Sequence, residues 1–222
     1  MNETLYLHYQ PGARGDFLAS VLLDNFTPIQ LGRVSRPNGS KYKSRHVSDS
    51  FAFLDRPDTI TMRIVTGPVE DGKWNGTSIA PGIQIVHNWM TKIPGYFDND
   101  KHFGPMSLVD RYYHCLHFFL LDDTLADTYK DRYNYRIEFA SIDNPEFLEN
   151  LRIKVMGEGI TEKTRGPMLE NLAIQKRWQD SDNAEVLEEL RILIDSELAN
   201  GVFLGPTWDH VPVQTKLDLL KG

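Results

Sequence analysis

A single cysteine, Cys115, in a chain of 222 residues has no partner for an intramolecular disulfide and no companion thiolates for a structural metal. With neither disulfides nor a secretory leader, a reducing, cytoplasmic compartment is the expectation. No apolar run comes near the ~20 residues that a bilayer-crossing helix needs, so no membrane partner is expected. Basic charge is short as well. The 24 Lys and Arg against 31 Asp and Glu leave a net charge of −7, a field that argues against nucleic acid as a partner. Any anion site must be made locally. What is present, 41% hydrophobic and 25% charged residues, is the composition of a globular protein and not of a disordered one. Neither an internal repeat nor a linker divides the chain. One domain spanning 1–222 is expected, with a helical C-terminal part from about residue 144.

Thr4 to Tyr9 reads as a strand that closes at Pro11-Gly12, and the glycine-containing turn leads into a helix from Asp16 to Asn25 with Phe17, Leu18, Val21 and Leu22 on one face. Arg33, Arg36, Lys41, Lys43, Arg45 and His46 then accumulate with no acid before Asp49, which reads as a basic loop. Thr59 to Val65 alternates as a second strand, residues 69–81 read as loop, and Gly82 to His87 reads as a third strand with His87 at its carboxyl end. Asn88 to Pro105 is broken by prolines and glycines and is expected to be irregular. A capping-box-like Ser107-Leu108-Val109-Asp110 opens a helix, Tyr135 to Phe139 is a short strand, and Asp143-Asn144-Pro145-Glu146 starts a helix ended by Gly157 or Gly159. Helices are expected again from Pro167 to Trp178 and from Asp182 to Asn200. Strands separated by helical patterns imply an α/β fold, a mainly parallel sheet flanked by helices.

Parallel α/β sheets bind ligands where strands give way to helices. Gly12, Ala13, Arg14, Gly15, Asp16 and Phe17 reach that edge, and a glycine turn feeding a helix N-terminus is a physical recipe for holding phosphate. The competing reading is a purely structural turn. His87, at a strand end, could accept the proton of an acceptor hydroxyl near neutral pH, or could be a loop histidine bonded to backbone. His114 and His117 are three apart on a helix with no third ligand in sight, so no metal is assigned. The basic loop could clamp an anionic ligand or simply be solvated.

The order of these segments resembles the sulfotransferase-like branch of the P-loop fold. Pro11 to Leu18 occupies the place of that family's Pro-Lys-Ser-Gly-Thr-Thr type loop, with Ala13 standing at the lysine and Asp16 at a hydroxyl when Gly15 is set on the family glycine. Leu108 to His114 looks like the helix that follows the family's 3′-phosphate-binding arginine, and Arg111 falls at its serine. The C-terminal Gly-Asp-Trp-Lys-Asn type loop of the family is absent. Similar chains occur in tailed bacteriophages, which would make the compartment a host cytoplasm. The resemblance implies PAPS or PAP as the bound nucleotide, held by Gly12 to Phe17 with Arg111 near its 3′-phosphate, and sulfuryl transfer to the hydroxyl of a small-molecule acceptor with His87 as base. The alternative it leaves open is a non-catalytic nucleotide-binding or phage accessory protein on the same fold.

Overall fold

A computed structural model describes residues 4–26, 42–45, 59–66, 76–92, 98, 103–127, 129–179 and 184–199. Within them, four parallel strands form one sheet: β1 (Thr4–His8), β2 (Tyr42–Arg45), β3 (Thr59–Val65) and β4 (Tyr135–Glu138), in the order β2-β1-β3-β4. Helix α1 (Gly15–Leu22) follows β1, α2 (Gly76–Lys92) and α3 (Leu108–Asp127) lie between β3 and β4, and α4 (Pro145–Met156), α5 (Glu162–Gln179) and α6 (Ala184–Ala199) complete the order. The fold is α/β, a small parallel sheet flanked by helices.

The apolar periodicities account for the packing. Leu5 and Leu7 of β1, Met62 and Ile64 of β3 and Ile137 of β4 join Phe17, Leu18, Val21 and Leu22 of α1 in one buried cluster. Tyr112, Leu116 and Phe119 of α3 extend it, as do Leu190, Leu193 and Ile194 of α6. Helices α1 and α4 pack side by side. Arg152 of α4 closes the far end of α1, its Nη1 donating to the carbonyls of Val21 and Leu22 at 2.7 and 2.9 Å and its Nε to that of Gly159 at 2.9 Å. The Val21 carbonyl also accepts the Asp24 N–H at 3.4 Å, so Arg152 adds a second donor there and supplies donors to the carbonyls of Leu22 and Gly159. Asn144 caps α4, accepting from the N–H groups of Glu146 and Phe147, with Pro145 in the first turn as the sequence pattern implies.

Three expectations change. Gly82 to His87 is not a strand: it lies inside α2, whose first residues also replace the expected loop at 76–81 and whose last ones make 88–92 helical. Ile83, Ile85 and Val86 are β-branched and alternate locally, but a run of this length cannot separate period 2 from period 3.6. Packing on α3 and α5 decides it, burying Ile85, Val86 and Met90 and tolerating Pro81 within the helix. Residues 42–45 of the basic stretch are strand β2, at the end of the sheet among the described residues; Arg33, Arg36, Lys41 and His46 lie outside the described residues. Helix α5 begins five residues before Pro167, where Thr161 receives the N–H groups of Thr164 and Arg165, so this proline too sits inside a helix and does not open it.

Candidate functional site

The chain leaves β1 on one side for β2 and returns on the other for β3, so the strand order reverses at β1/β3, the point where doubly wound sheets place their ligands at the carboxyl ends. The first element at that edge is the turn after β1. Pro11 and Gly12 are the central residues of a reverse turn closed by the N–H of Ala13 donating to the carbonyl of Gln10 at 2.9 Å. Gly12 has φ 88, as the third position of a type II turn requires. A Cβ on Gly12 would collide with the Ile85 carbonyl and the Trp89 N–H of α2, and one on Gly15 would overlap the ring of Tyr9. Both glycines therefore have packing reasons to be glycine.

Arg14 follows in the left-handed region, φ 61 and ψ 27, as the residue before α1, and among the described residues no side-chain cap bond is made at that helix start. Its first internal bond runs from the Leu18 N–H to the Arg14 carbonyl at 3.0 Å. Asp16, in the first turn, accepts from the Tyr9 hydroxyl at 2.7 Å, which gives its carboxylate a protein partner next to the turn. Phe17 is core, packed edge-on to Phe26 at 6.2 Å, and offers the site only its backbone.

The Arg14 side chain runs from this turn to the segment that follows β4. Its Nη1 pairs with a carboxylate oxygen of Asp143, and its guanidinium carbon stands 5.3 Å from the centre of the Phe139 ring. Because β3 separates β1 from β4, the side chain bridges the carboxyl edge past the end of β3, at the reversal point. The Arg14 side chain is 4% exposed and that of Asp143 49%. Burial pushes the guanidinium down to about 10, still well above neutral pH, so it is a cation. Its Nε and Nη2 are shielded from solvent and have no hydrogen-bond partner among the described residues. Further along the same edge, the register places His8 beside Arg63 and Arg63 beside Arg136. His8 shares a 2.7 Å bond through Nδ1 with the Tyr133 hydroxyl.

The other candidates are placed differently. His87 is 0% exposed within α2, and its Nδ1 shares a 2.9 Å bond with the Tyr112 hydroxyl of α3. The contacts of α2 with the turn come from Ile85, Trp89 and Asn88, whose Nδ2 donates to the Gly12 carbonyl at 3.3 Å. Two residues from either Ile85 or Trp89 is about 200° around a helix, so His87 faces away from the turn toward α3. Its expected place at a strand end is corrected accordingly. Arg111 is bonded on all three nitrogens: Nη1 to Asp98 at 2.6 Å, Nη2 to the Gly104 carbonyl at 3.1 Å and Nε to the Met106 carbonyl at 3.2 Å. Eight residues separate it from Phe119, where α3 receives the Gln10 side chain, or about 12 Å of helix. The six residues of the turn thus come together, and His87 and Arg111 stand apart from them.

Phe139 and Asp143 were not anticipated from the sequence. The signal was available: they follow β4 as the turn follows β1, and parallel strands deliver both segments to one edge. Among the described residues no group of three His, Cys, Asp or Glu side chains is arranged to hold a metal, and His117 contributes no described side chain. Comparison with protein-family models, curated proteins and solved structures finds no match to this chain.

Proposed function

We propose that this protein binds a phosphate- or sulfate-bearing nucleotide at the turn between β1 and α1. One observation carries the reading: a buried arginine at the carboxyl edge of a parallel sheet, next to an uncapped helix start, with two N–H-bearing nitrogens that no described residue satisfies. A buried donor without an acceptor costs about 1–3 kcal/mol, and more when it is charged, so an oxyanion is the group that would relieve it. PAPS or PAP is the nucleotide that the sulfotransferase-like resemblance implies, and sulfuryl transfer to a hydroxyl acceptor is the reaction to test on it.

The burial of His87 and its bond to Tyr112 favour the second reading, nucleotide binding without transfer, as in an accessory protein that retains the fold. Transfer would require the imidazole to reach an acceptor from an inner helix face. The test is thermal unfolding with PAP, PAPS, ATP and GTP, followed by incubation of labelled PAPS with hydroxyl acceptors. A selective nucleotide at 100 times its Kd should stabilise the fold by about 2.7 kcal/mol. No shift with any of the four would overturn the proposal, and binding without label transfer would leave the accessory reading as the function.

A further inference from the structure

Building on the anion reading of the turn, we propose that Arg14 grips the ligand itself, the Nε–Nη2 edge of its guanidinium taking two oxygens of one terminal sulfate or phosphate group while Asp143 holds Nη1. The three nitrogens of a guanidinium define edges on which parallel N–H bonds match the oxygen spacing of an oxyanion. Asp143 occupies Nη1 alone. The two nitrogens left over, Nε and Nη2, share one edge, so the unsatisfied donors form a complete fork and not two stray contacts. Arg111 and Arg152, which bond to carbonyls, show the other outcome: each directs its Nε to a backbone oxygen.

The fork is preorganised. Phe139 lies against the guanidinium and Asp143 anchors one end, so little rotamer freedom remains to be lost on binding. A water could take one N–H but would leave the cation uncompensated, whereas an oxyanion meets both donors and the charge. The uncapped start of α1 beside Arg14 favours a ligand with a further oxygen out of the plane of the fork, hence a tetrahedral group over a planar carboxylate. Ala13 stands where the resembling family has its loop lysine, and on this arrangement the neighbouring Arg14 supplies the cation. Both nitrogens are shielded from solvent, so binding must part the contacts over them and seats the anion in a low dielectric. Asp143 then has a double effect. It positions the guanidinium and also competes electrostatically with the ligand.

The full-length chain, with Arg14→Lys and Asp143→Asn, is titrated calorimetrically with inorganic sulfate, inorganic phosphate and PAP while the amide resonances of residues 14–17 are followed. Arg14→Lys keeps a charge and removes the fork, and affinity should fall at least about tenfold, one charge-assisted bond's worth. Asp143→Asn removes a competing charge at a half-exposed position and should raise affinity severalfold. Opposite effects from the two partners of one ion pair are not what a structural strut produces. PAP binding more tightly than phosphate would assign the oxyanion to a nucleotide, and equal binding to a free ion. If Arg14→Lys binds like the wild type while amides 14–17 still respond, the fork is refuted and the anion site stands. Equal weakening by both variants would also refute it. If the wild type binds none of the three probes, the site and the fork fall together.

Discussion

Replacing Arg14 by methionine separates a residue kept for binding from one kept for stability, because the two roles give opposite signs in anion-free buffer. Burial lowers the guanidinium from its ordinary value to about 10. At about 1.4 kcal/mol per pH unit, that is about 3 kcal/mol against the buried cation. The Phe139 ring returns about 1 kcal/mol. The pair with Asp143, half open to water, returns at most about 1 kcal/mol once solvent screening is allowed for. The charge is therefore a net cost of about 1 kcal/mol. Methionine fills much of the same volume without it and keeps the same left-handed backbone cost at φ 61.

Arg14→Met should accordingly raise the melting temperature by about 2–4 °C in buffer free of oxyanions. With sulfate, phosphate or PAP near saturation the order should reverse, since only the wild type gains binding energy. The pH dependence follows from the lowered value: above about 10 the unfolded chain binds this proton more tightly than the folded one, so wild-type stability gains relative to the variant from about 10 up to the ordinary arginine range. Urea unfolding with and without sulfate, at neutral and alkaline pH, measures all three effects. A variant about 2 kcal/mol less stable than the wild type without anions, and equally responsive to sulfate, would refute the reasoning.

Tyr112→Phe leaves the buried Nδ1 of His87 without its hydroxyl partner and should cost about 1–3 kcal/mol in urea unfolding, with nucleotide affinity per folded molecule unchanged. Arg152→Met removes the side-chain donor from three carbonyls, of which that of Val21 keeps the Asp24 N–H, so stability should fall by about 2–3 kcal/mol and amide exchange should accelerate first at the C-terminal end of α1. Burial pushes the Cys115 thiol up beyond its ordinary range, so a disulfide reagent at pH 8 should react with it in urea and scarcely at all in the native protein.

The sequence is most legible where local chemistry and tertiary packing agree. The strand at Thr59–Val65 alternates, ends at Thr66 before a glycine and proline, and forms at that place. Asn144-Pro145 caps a helix by the mechanism its residue types imply. The reading fails where punctuation residues sit inside elements. Pro81 and Pro167 lie within helices whose other bonds outweigh one missing donor, so each moved an expected boundary. It fails again at β2, whose Tyr-Lys-Ser-Arg has no apolar rhythm and becomes a strand through pairing with β1. His87 inherited the first error: once α2 replaces a strand, its neighbours on the chain no longer place it at the sheet edge.

The candidate site was visible as a turn, but for a reason the structure reassigns. Gly12 and Gly15 suggested a phosphate loop because backbone must come close to a ligand there, yet what comes close is α2 and the Tyr9 ring. The glycines are consistent with a structural turn. The unexplained group is the side chain between them, whose partner lies 129 residues away at the end of another parallel strand. No local pattern encodes that distance; it follows only from the register that sets β1, β3 and β4 side by side. A loop that lacks lysine and hydroxyl can still bind an oxyanion if the fold brings it a buried cation with an open edge. Measuring that edge, through Arg14→Lys and Asp143→Asn, is more diagnostic of function here than counting glycines.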